Sequence, residues 1–236
     1  MSRTRFEIAR EGVGLLQMDR PDSLHAIDTA MLDEMIGHLE AAAGDPSIRV
    51  VVISSTDHIA FSAGADLKEE LDDEGRVARM QKFADLYDLV VGYPKPTLAA
   101  CHGYTVGGGA EIAVGCDIRI GGSNLQMRFP GAALGVPVGA ARLVTLCGLG
   151  AAKYLLLGSP AVKADEALRI GLISRVAPGA ATEEATLELA GRMAEFDPES
   201  VARLKGMLHQ WDDIEGRSAE EGRGQVVWQD EGPGLG

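Results

Sequence analysis

The run Tyr104-Thr105-Val106-Gly107-Gly108-Gly109-Ala110-Glu111 constrains this chain more than any other. Three consecutive glycines follow an apolar, β-branched run from Thr97 to Val106 and lead into a predicted helix, Ala110 to Gly115. Glycine lets backbone approach a ligand closely and adopt angles that other residues avoid. A helix that starts there aims unpaired N–H groups, and the positive end of its dipole, at whatever lies in front. Such a turn suits a developing oxyanion, with Glu111 one turn along as an acid or base. Taken alone, the same run reads as a tight strand-to-helix turn in which Glu111 only complements the helix dipole.

A second turn shifts that balance. Phe61-Ser62-Ala63-Gly64-Ala65-Asp66-Leu67-Lys68 is another small-residue turn, placed after a hydrophobic strand from Val50 to Ser54. Two turns, each offering a backbone N–H to one point, are what a two-donor oxyanion hole requires.

Around these turns the pattern predicts an α/β fold. Val13 to Met18 and Arg49 to Ser54 read as short buried strands bracketing a helix from about Asp28 to Ala43, with Asp28 as N-cap and Gly44-Asp45-Pro46 as the stop. Lys68 to Val91 reads as a mobile segment around Leu71 to Gly75 followed by an amphipathic helix. Thr97 to Cys101, Ile118 to Ile120 and Leu125 to Phe129 read as strands. Repeating strand–strand–helix units suggest a spiral of stacked ββα units. From Gly139 the chain turns helical, over Ala140–Leu146, Ala151–Leu157, Ala164–Ile170, Thr182–Glu195 and Pro198–Gln210, and Asp230 to Gly236 reads as loose. We divide it into a core over 1–180 and a helical C-terminal region over 181–236.

Bulk properties exclude several classes. A net charge of −13 argues against nucleic acid, whose phosphates demand a basic surface. No stretch approaches the roughly 18 uninterrupted apolar residues of a membrane helix, and the N-terminus lacks an apolar signal core, so a cytoplasmic protein without membrane attachment is expected. Cys101, Cys116 and Cys147 read as buried free thiols. The histidines at 25, 38, 58, 102 and 209 lack metal-ligand spacing, so no metal is expected.

The ordered set of motifs resembles the crotonase (enoyl-CoA hydratase/isomerase) superfamily. Its landmarks here are Arg20-Pro21 through Ala26, the FSAGADLK turn, Pro94-Lys95-Pro96 leading to His102-Gly103-Tyr104, GGGAE, Cys116-Asp117, Leu134-Gly135-Val136-Pro137, and Ala164-Asp165-Glu166-Ala167 with Gly171-Leu172. The resemblance implies a ββα spiral whose Ala65 and Gly108 N–H groups polarise a coenzyme A thioester, with Glu111 moving the proton. It implies coenzyme A contacts near Ser23, His25 and Ala26 and near Ala63, Gly64, Asp66 and Leu67, with Gly107 and Gly131 at the acyl site. Lys68, Arg20 and Lys95 are candidate phosphate partners, needed because the chain's overall charge opposes a polyanion. No cofactor beyond the thioester substrate is implied. Assembly as a homotrimer or a dimer of trimers is implied, through the C-terminal helices.

Two departures stand out. Hydratases of the family place a second glutamate after a proline where this chain has Pro130-Gly131, leaving a single carboxylate. Relatives also continue into a closing C-terminal helix, so either that lid is absent here or another chain supplies it. These departures motivate a rival reading: a catalytically weak protein that binds acyl-CoA or a partner subunit, or a family hydrolase or decarboxylase.

Overall fold

The structure is a computed structural model that describes residues 2–235. Strand β1 (Thr4–Arg10) pairs antiparallel with β2 (Val13–Met18), and helix α1 (Thr29–Gly44) crosses to β3 (Val50–Ser55), which runs parallel to β2. From β3 onward one unit repeats: a strand in the main sheet, a short strand in a second sheet, then a helix. The units are β3, β4 (Ala60–Ser62) and α2 (Asp73–Val91); β5 (Thr97–Cys101), β6 (Tyr104–Val106) and α3 (Gly108–Gly115); and β7 (Ile118–Gly122), β8 (Gln126–Arg128) and α4 (Ala140–Gly158). Then come β9 (Val162–Lys163), α5 (Ala164–Arg169), β10 (Arg175–Ala177) and three helices, α6 (Thr182–Ala194), α7 (Pro198–Asp212) and α8 (Ile214–Glu231). The main sheet has the order β1-β2-β3-β5-β7-β10 and the second β4-β6-β8-β9. This is the spiral of ββα units that the repeat predicts.

The continuous apolar run of β3 follows from its central place. Val51 and Ile53 point into the main core, while Val50 and Val52 point to the opposite face, against Leu187, Ala190 and Ala194 of α6. A parallel strand covered on both faces has no polar side to show. Helix α1 starts as predicted, with the Asp28 carboxylate accepting from the Met31 N–H at 2.9 Å.

Several expectations need correction. The segment predicted as mobile is the first turn of α2, capped by Asp72, whose carboxylate accepts from Gly75 N–H. The two helices predicted over 140–157 are found, as the two halves of α4, separated at Gly148, where the backbone leaves helical angles. Among the described residues α4 alone is long and apolar enough by length and composition to cross a membrane, although Arg142 and Lys153 interrupt it. Helix α8 is not among the individual helices that the pattern predicts, although it falls within the helical region over 181–236. Residues 230–235, expected to be loose, end α8 and then fold inward: Leu235 is buried and its N–H donates to the Gln229 side chain at 2.8 Å. Gly236 lies outside the described residues. Cys101 and Cys116 are buried free thiols, whereas Cys147 is half-buried.

Candidate active site

The two glycine turns meet. Backbone bonds from Ala63 N–H to Leu24 O, Ile27 N–H to Gly64 O and Asp66 N–H to Ile27 O, all 2.8–2.9 Å, lace the 24–27 loop to the 63–66 turn. Gly64 has φ +93°, and a Cβ there would stand 2.8 Å from the Val106 carbonyl and 3.2 Å from the Gly108 nitrogen. The turns therefore approach as closely as hydrogen-only side chains allow. Gly107 (φ +51°) then swings the chain into α3, whose first residue is Gly108. Among the described residues, neither the Ala65 N–H nor the Gly108 N–H has a hydrogen-bond partner. Two free backbone donors thus lie on turns that touch, an arrangement of the kind that can serve a carbonyl oxygen.

This contact sets up a test. Gly64→Ala must place a methyl against the Val106 carbonyl at a positive φ, so it pushes the turns apart. A misplacement of about an ångström costs on the order of 10² in rate. We expect kcat/KM to fall by about that factor, checked by steady-state kinetics on a variant whose circular dichroism matches the parent.

Glu111 lies in the first turn of α3 and is 1% exposed. Arg142, in the first turn of α4, donates to Glu111 Oε2 through Nη2 at 2.9 Å and Nε at 3.2 Å. The same Nη2 reaches Glu221 Oε1 of α8 at 2.8 Å. Glu221 also caps α4, accepting from Gly139 N–H at 3.0 Å and Ala141 N–H at 2.9 Å. Beneath them Tyr87 presents its ring to the Arg142 guanidinium, 4.9 Å from the ring centroid. Gly139 is required here: a Cβ would come within 2.5 Å of Glu111 Oε1.

Burial pushes the Glu111 carboxyl up to about 7, and the nearby Glu221 charge adds to that, while Arg142 opposes it. The carboxylate is thus placed where it can both take and return a proton near neutral pH. Arg142, held by two carboxylates, stays firmly charged despite burial.

Glu111 opens onto a cavity of about 280 Å³. The two glycine turns form one wall, through Ala63, Gly64, Ala65, Gly107 and Gly108. Met80, Phe83 and Tyr87 of α2 and Val136 and Val138 form the apolar remainder, closed by Gln225 of α8 and Leu235. The expectation that the lid is either absent or supplied by another chain is therefore corrected: Gln225 of α8 and Leu235 stand on the cavity wall. Trp228 clasps this lid to the facing turn, its Nε1–H donating to Gly135 O at 2.8 Å.

Gly131 also lines the cavity, and its backbone explains the missing acid. The Val136 N–H donates to Gly131 O at 2.8 Å, closing the turn, and a Cβ on Gly131 would meet Val136 O at 2.5 Å. Glu111 is the sole acidic side chain on the cavity wall among the described residues.

The other sequence candidates fall in different places. Leu67 lines the cavity; Ser23, Ala26 and Lys68 do not, and Ser23 and Lys68 are exposed on the adjoining loops. The side chains of His25 and Asp66 turn away from the cavity. His25 is fully buried against Asp57, with its carbonyl accepting from Ser62, and Asp66 pairs with Arg20 at 2.9 Å. Arg20 is held further by the Ala26 carbonyl, and Lys95 donates to Ala42 O and Asp45 O, so neither is free for a phosphate. Of the acidic run after the FSAGAD turn, Glu69 accepts from Thr29 N–H at 3.0 Å and pairs with Arg79, which pins the loop. Sequence reasoning missed Glu221, Gln225, Leu235 and Arg128 as wall or support residues. The glycine turns, Leu67, Glu111 and Gly131 are wall residues that the sequence motifs do signal.

The chain is similar in sequence and fold to known proteins. The family model described as "Enoyl-CoA hydratase/isomerase" matches residues 9–224. The chain is 33% identical over 208 residues to 2,3-dehydroadipyl-CoA hydratase of Escherichia coli (87% of this chain, 81% of that protein). It is 34% identical over 214 residues to short-chain-enoyl-CoA hydratase of Clostridium acetobutylicum (86% and 80%). The crystal structure of an enoyl-CoA hydratase/isomerase from Xanthobacter autotrophicus Py2 superimposes with a TM-score of 0.88 at 27% identity, covering 99% of this chain and 89% of that one. With the ββα spiral in place and the match spanning nearly its whole length, this chain belongs to the enoyl-CoA hydratase/isomerase family of the crotonase superfamily.

Proposed function

We propose that this enzyme forms a thioester enolate between the Ala65 and Gly108 N–H groups and uses Glu111 as its one proton carrier, so that it shifts a double bond rather than adding water. The observation that carries this reading is the wall itself, where Glu111 is the only carboxylate among the described residues. Syn addition of water needs a group to activate the water and a group to deliver the proton, most simply two carboxylates. One carboxylate suffices for isomerisation. Glu111 takes a proton from C2 of a 3-enoyl thioester, the two N–H groups hold the resulting oxyanion, and the protonated Glu111 returns the proton at C4. Glu221 is no substitute, since both its oxygens are committed to α4 and Arg142.

The cavity lies just under the roughly 300–1,000 Å³ of ordinary small-molecule pockets, which suits a short acyl group. Arg128 on the cavity wall and Lys68 on the loop beside it are the cations placed to meet an anionic coenzyme A on a chain of net charge −13. The enzyme needs no cofactor besides its substrate. We place it in the cytoplasm, as a homotrimer or dimer of trimers assembled through residues 181–236, whose α7 leaves Leu204, Leu208 and Trp211 exposed.

Hydration has one observation in its favour, the names of the two bacterial relatives. The deciding experiment offers crotonyl-CoA and a 3-enoyl-CoA in parallel and follows conjugated-enoyl absorbance. A gain from the 3-enoyl thioester alone is the expected result; loss of signal from crotonyl-CoA overturns the isomerase reading in favour of hydration.

The pH dependence is a further check. Glu111 must be ionised to accept the first proton, so kcat/KM rises with pH through an acid limb near 7, set by burial. A limb near the ordinary glutamate value of 4.5 would show that Glu111 is not the base.

A further inference from the structure

One residue separates two spaces. Leu235 lines the cavity of about 280 Å³ and also an outer cleft of about 690 Å³, which lies between the start of α2 (Glu74, Val77) and the turn after α8 (Gly232, Pro233). Among the described residues it alone stands on both walls. Its side chain is 7% exposed and packs with Met80 and Val136, beside Ala65 and Val138, all of them residues of the cavity wall. Leu235 therefore closes the cavity on the side of the cleft.

The backbone of Leu235 is held by one side chain. Gln229 Oε1 accepts from the Leu235 N–H at 2.8 Å, and Gln229 Nε2 donates to the Leu235 carbonyl at 3.3 Å. The turn that joins them needs Gly234, whose φ is +59° and where a Cβ would stand 2.4 Å from Gln229 Nε2. Gly234 O lies 3.1 Å from where a Cβ on Gly135 would be, so this turn rests on the 131–135 segment. Gln229 itself does not line the cavity.

The cavity has an open side and a buried end. On its wall Leu67 and Leu134 are 54% and 42% exposed, whereas Met80, Phe83, Val136 and Leu235 are buried. A thioester held at the Ala65 and Gly108 N–H groups, with its coenzyme A on the open side, sends its acyl chain toward the buried end. We infer that Leu235 is a specificity-determining residue that ends the acyl cavity and that Gln229 holds it in place, so that the enzyme takes short apolar acyl chains and rejects longer ones. This rests on the acyl-CoA reading of the cavity given above.

Saturated acyl-CoAs test this without turnover. Calorimetric titration of the full chain compares butanoyl-, hexanoyl-, octanoyl- and decanoyl-CoA. Each methylene that finds apolar cover is worth about fourfold in affinity. In the parent protein affinity should rise from butanoyl to hexanoyl and then rise no further. Leu235→Ala opens the end wall and should raise the ratio of octanoyl to butanoyl affinity about tenfold, the worth of roughly two further covered methylenes. Gln229→Leu leaves the cavity wall intact but frees the Leu235 backbone, and should move the ratio in the same direction. A parent affinity that keeps climbing by about fourfold per methylene through decanoyl overturns the inference. That result is read on the unaltered protein and holds even if a variant fails to fold. A ratio that neither substitution moves, in variants whose circular dichroism matches the parent, overturns it equally. The two readings separate cleanly. Turnover of a 3-enoyl-CoA without a length cut-off leaves the isomerase reading standing alone, whereas a cut-off set by Leu235 without turnover removes the proton-transfer reading. Failure to bind any of the four thioesters removes both.

Discussion

Glu111→Gln lowers kcat for the 3-enoyl thioester by about 10²–10⁴, the usual worth of a positioned acid or base. It leaves the affinity for a saturated acyl-CoA nearly unchanged. The amide keeps the shape of the carboxyl and its place beside Arg142 while losing the ability to take a proton. No second carboxylate stands on the cavity wall to take over, among the described residues. A large loss is therefore expected here even if it would be partial in a two-carboxylate site. Single-turnover measurement alongside calorimetric binding reads both halves of the prediction. Retained turnover would remove Glu111 from the mechanism, while affinity without any turnover in the parent protein would favour the binding-protein reading.

Arg142→Met carries the largest expected effect on stability. The guanidinium is 2% exposed and lies between two carboxylates, Glu111 at 2.9 Å and Glu221 at 2.8 Å. Removing one member of a buried ion network leaves the others uncompensated, which costs about 3–5 kcal/mol. Chemical denaturation at neutral pH measures this. The pH dependence identifies its cause. Glu111 is already raised above its ordinary value, so its contribution to stability is full at low pH and is lost as pH rises through about 7. Without Arg142, which pulls that value down, the carboxyl rises further. The deficit of the variant relative to its parent is thus smallest near about pH 5 and grows as pH rises. The lowered carboxylates elsewhere, such as Asp117 beside Lys205, are common to both proteins and cancel in the comparison. The acid limb of the rate profile should move to higher pH in the same variant. A deficit that does not vary with pH would mean lost packing, not lost charge, dominates.

Much of the site was legible because its demands are local. The runs FSAGADLK and GGGAE advertise backbone that must come close, and in the structure Gly64 indeed rests on Val106 and Gly108. Strands such as β3 were legible because a strand buried on both faces has to be apolar throughout. Asp28 and Asp72 both cap helices, but the pattern signals only Asp28, since the acidic segment around Asp72 carries no apolar period and reads as mobile. Gly131 was seen as a missing acid, yet the reason, a turn too tight for a side chain, lies in the Val136 carbonyl and not in any motif.

Helix α8 escaped notice for a physical reason. Its sequence carries Gly216, Gly222 and Gly224 among acidic residues, with little apolar periodicity of its own. Propensity argues against such a helix. Packing makes it: Gly222 lets α8 settle on α2, where an added Cβ would lie 3.2 Å from Ala84, and Ser218 donates to Asp88 at 2.7 Å. The pairing of Arg142 with Glu221, 79 positions apart, is a product of that docking and has no local signature.

That docking has a consequence for the chemistry. Glu221 rides on α8, so an α8 lifted from the cavity would carry it away from Arg142. Arg142 would then serve Glu111 alone and water would reach the carboxylate, and both changes would weaken its hold on a proton. The part of the chain that covers the cavity is thus also the part that holds the Glu111 carboxyl high.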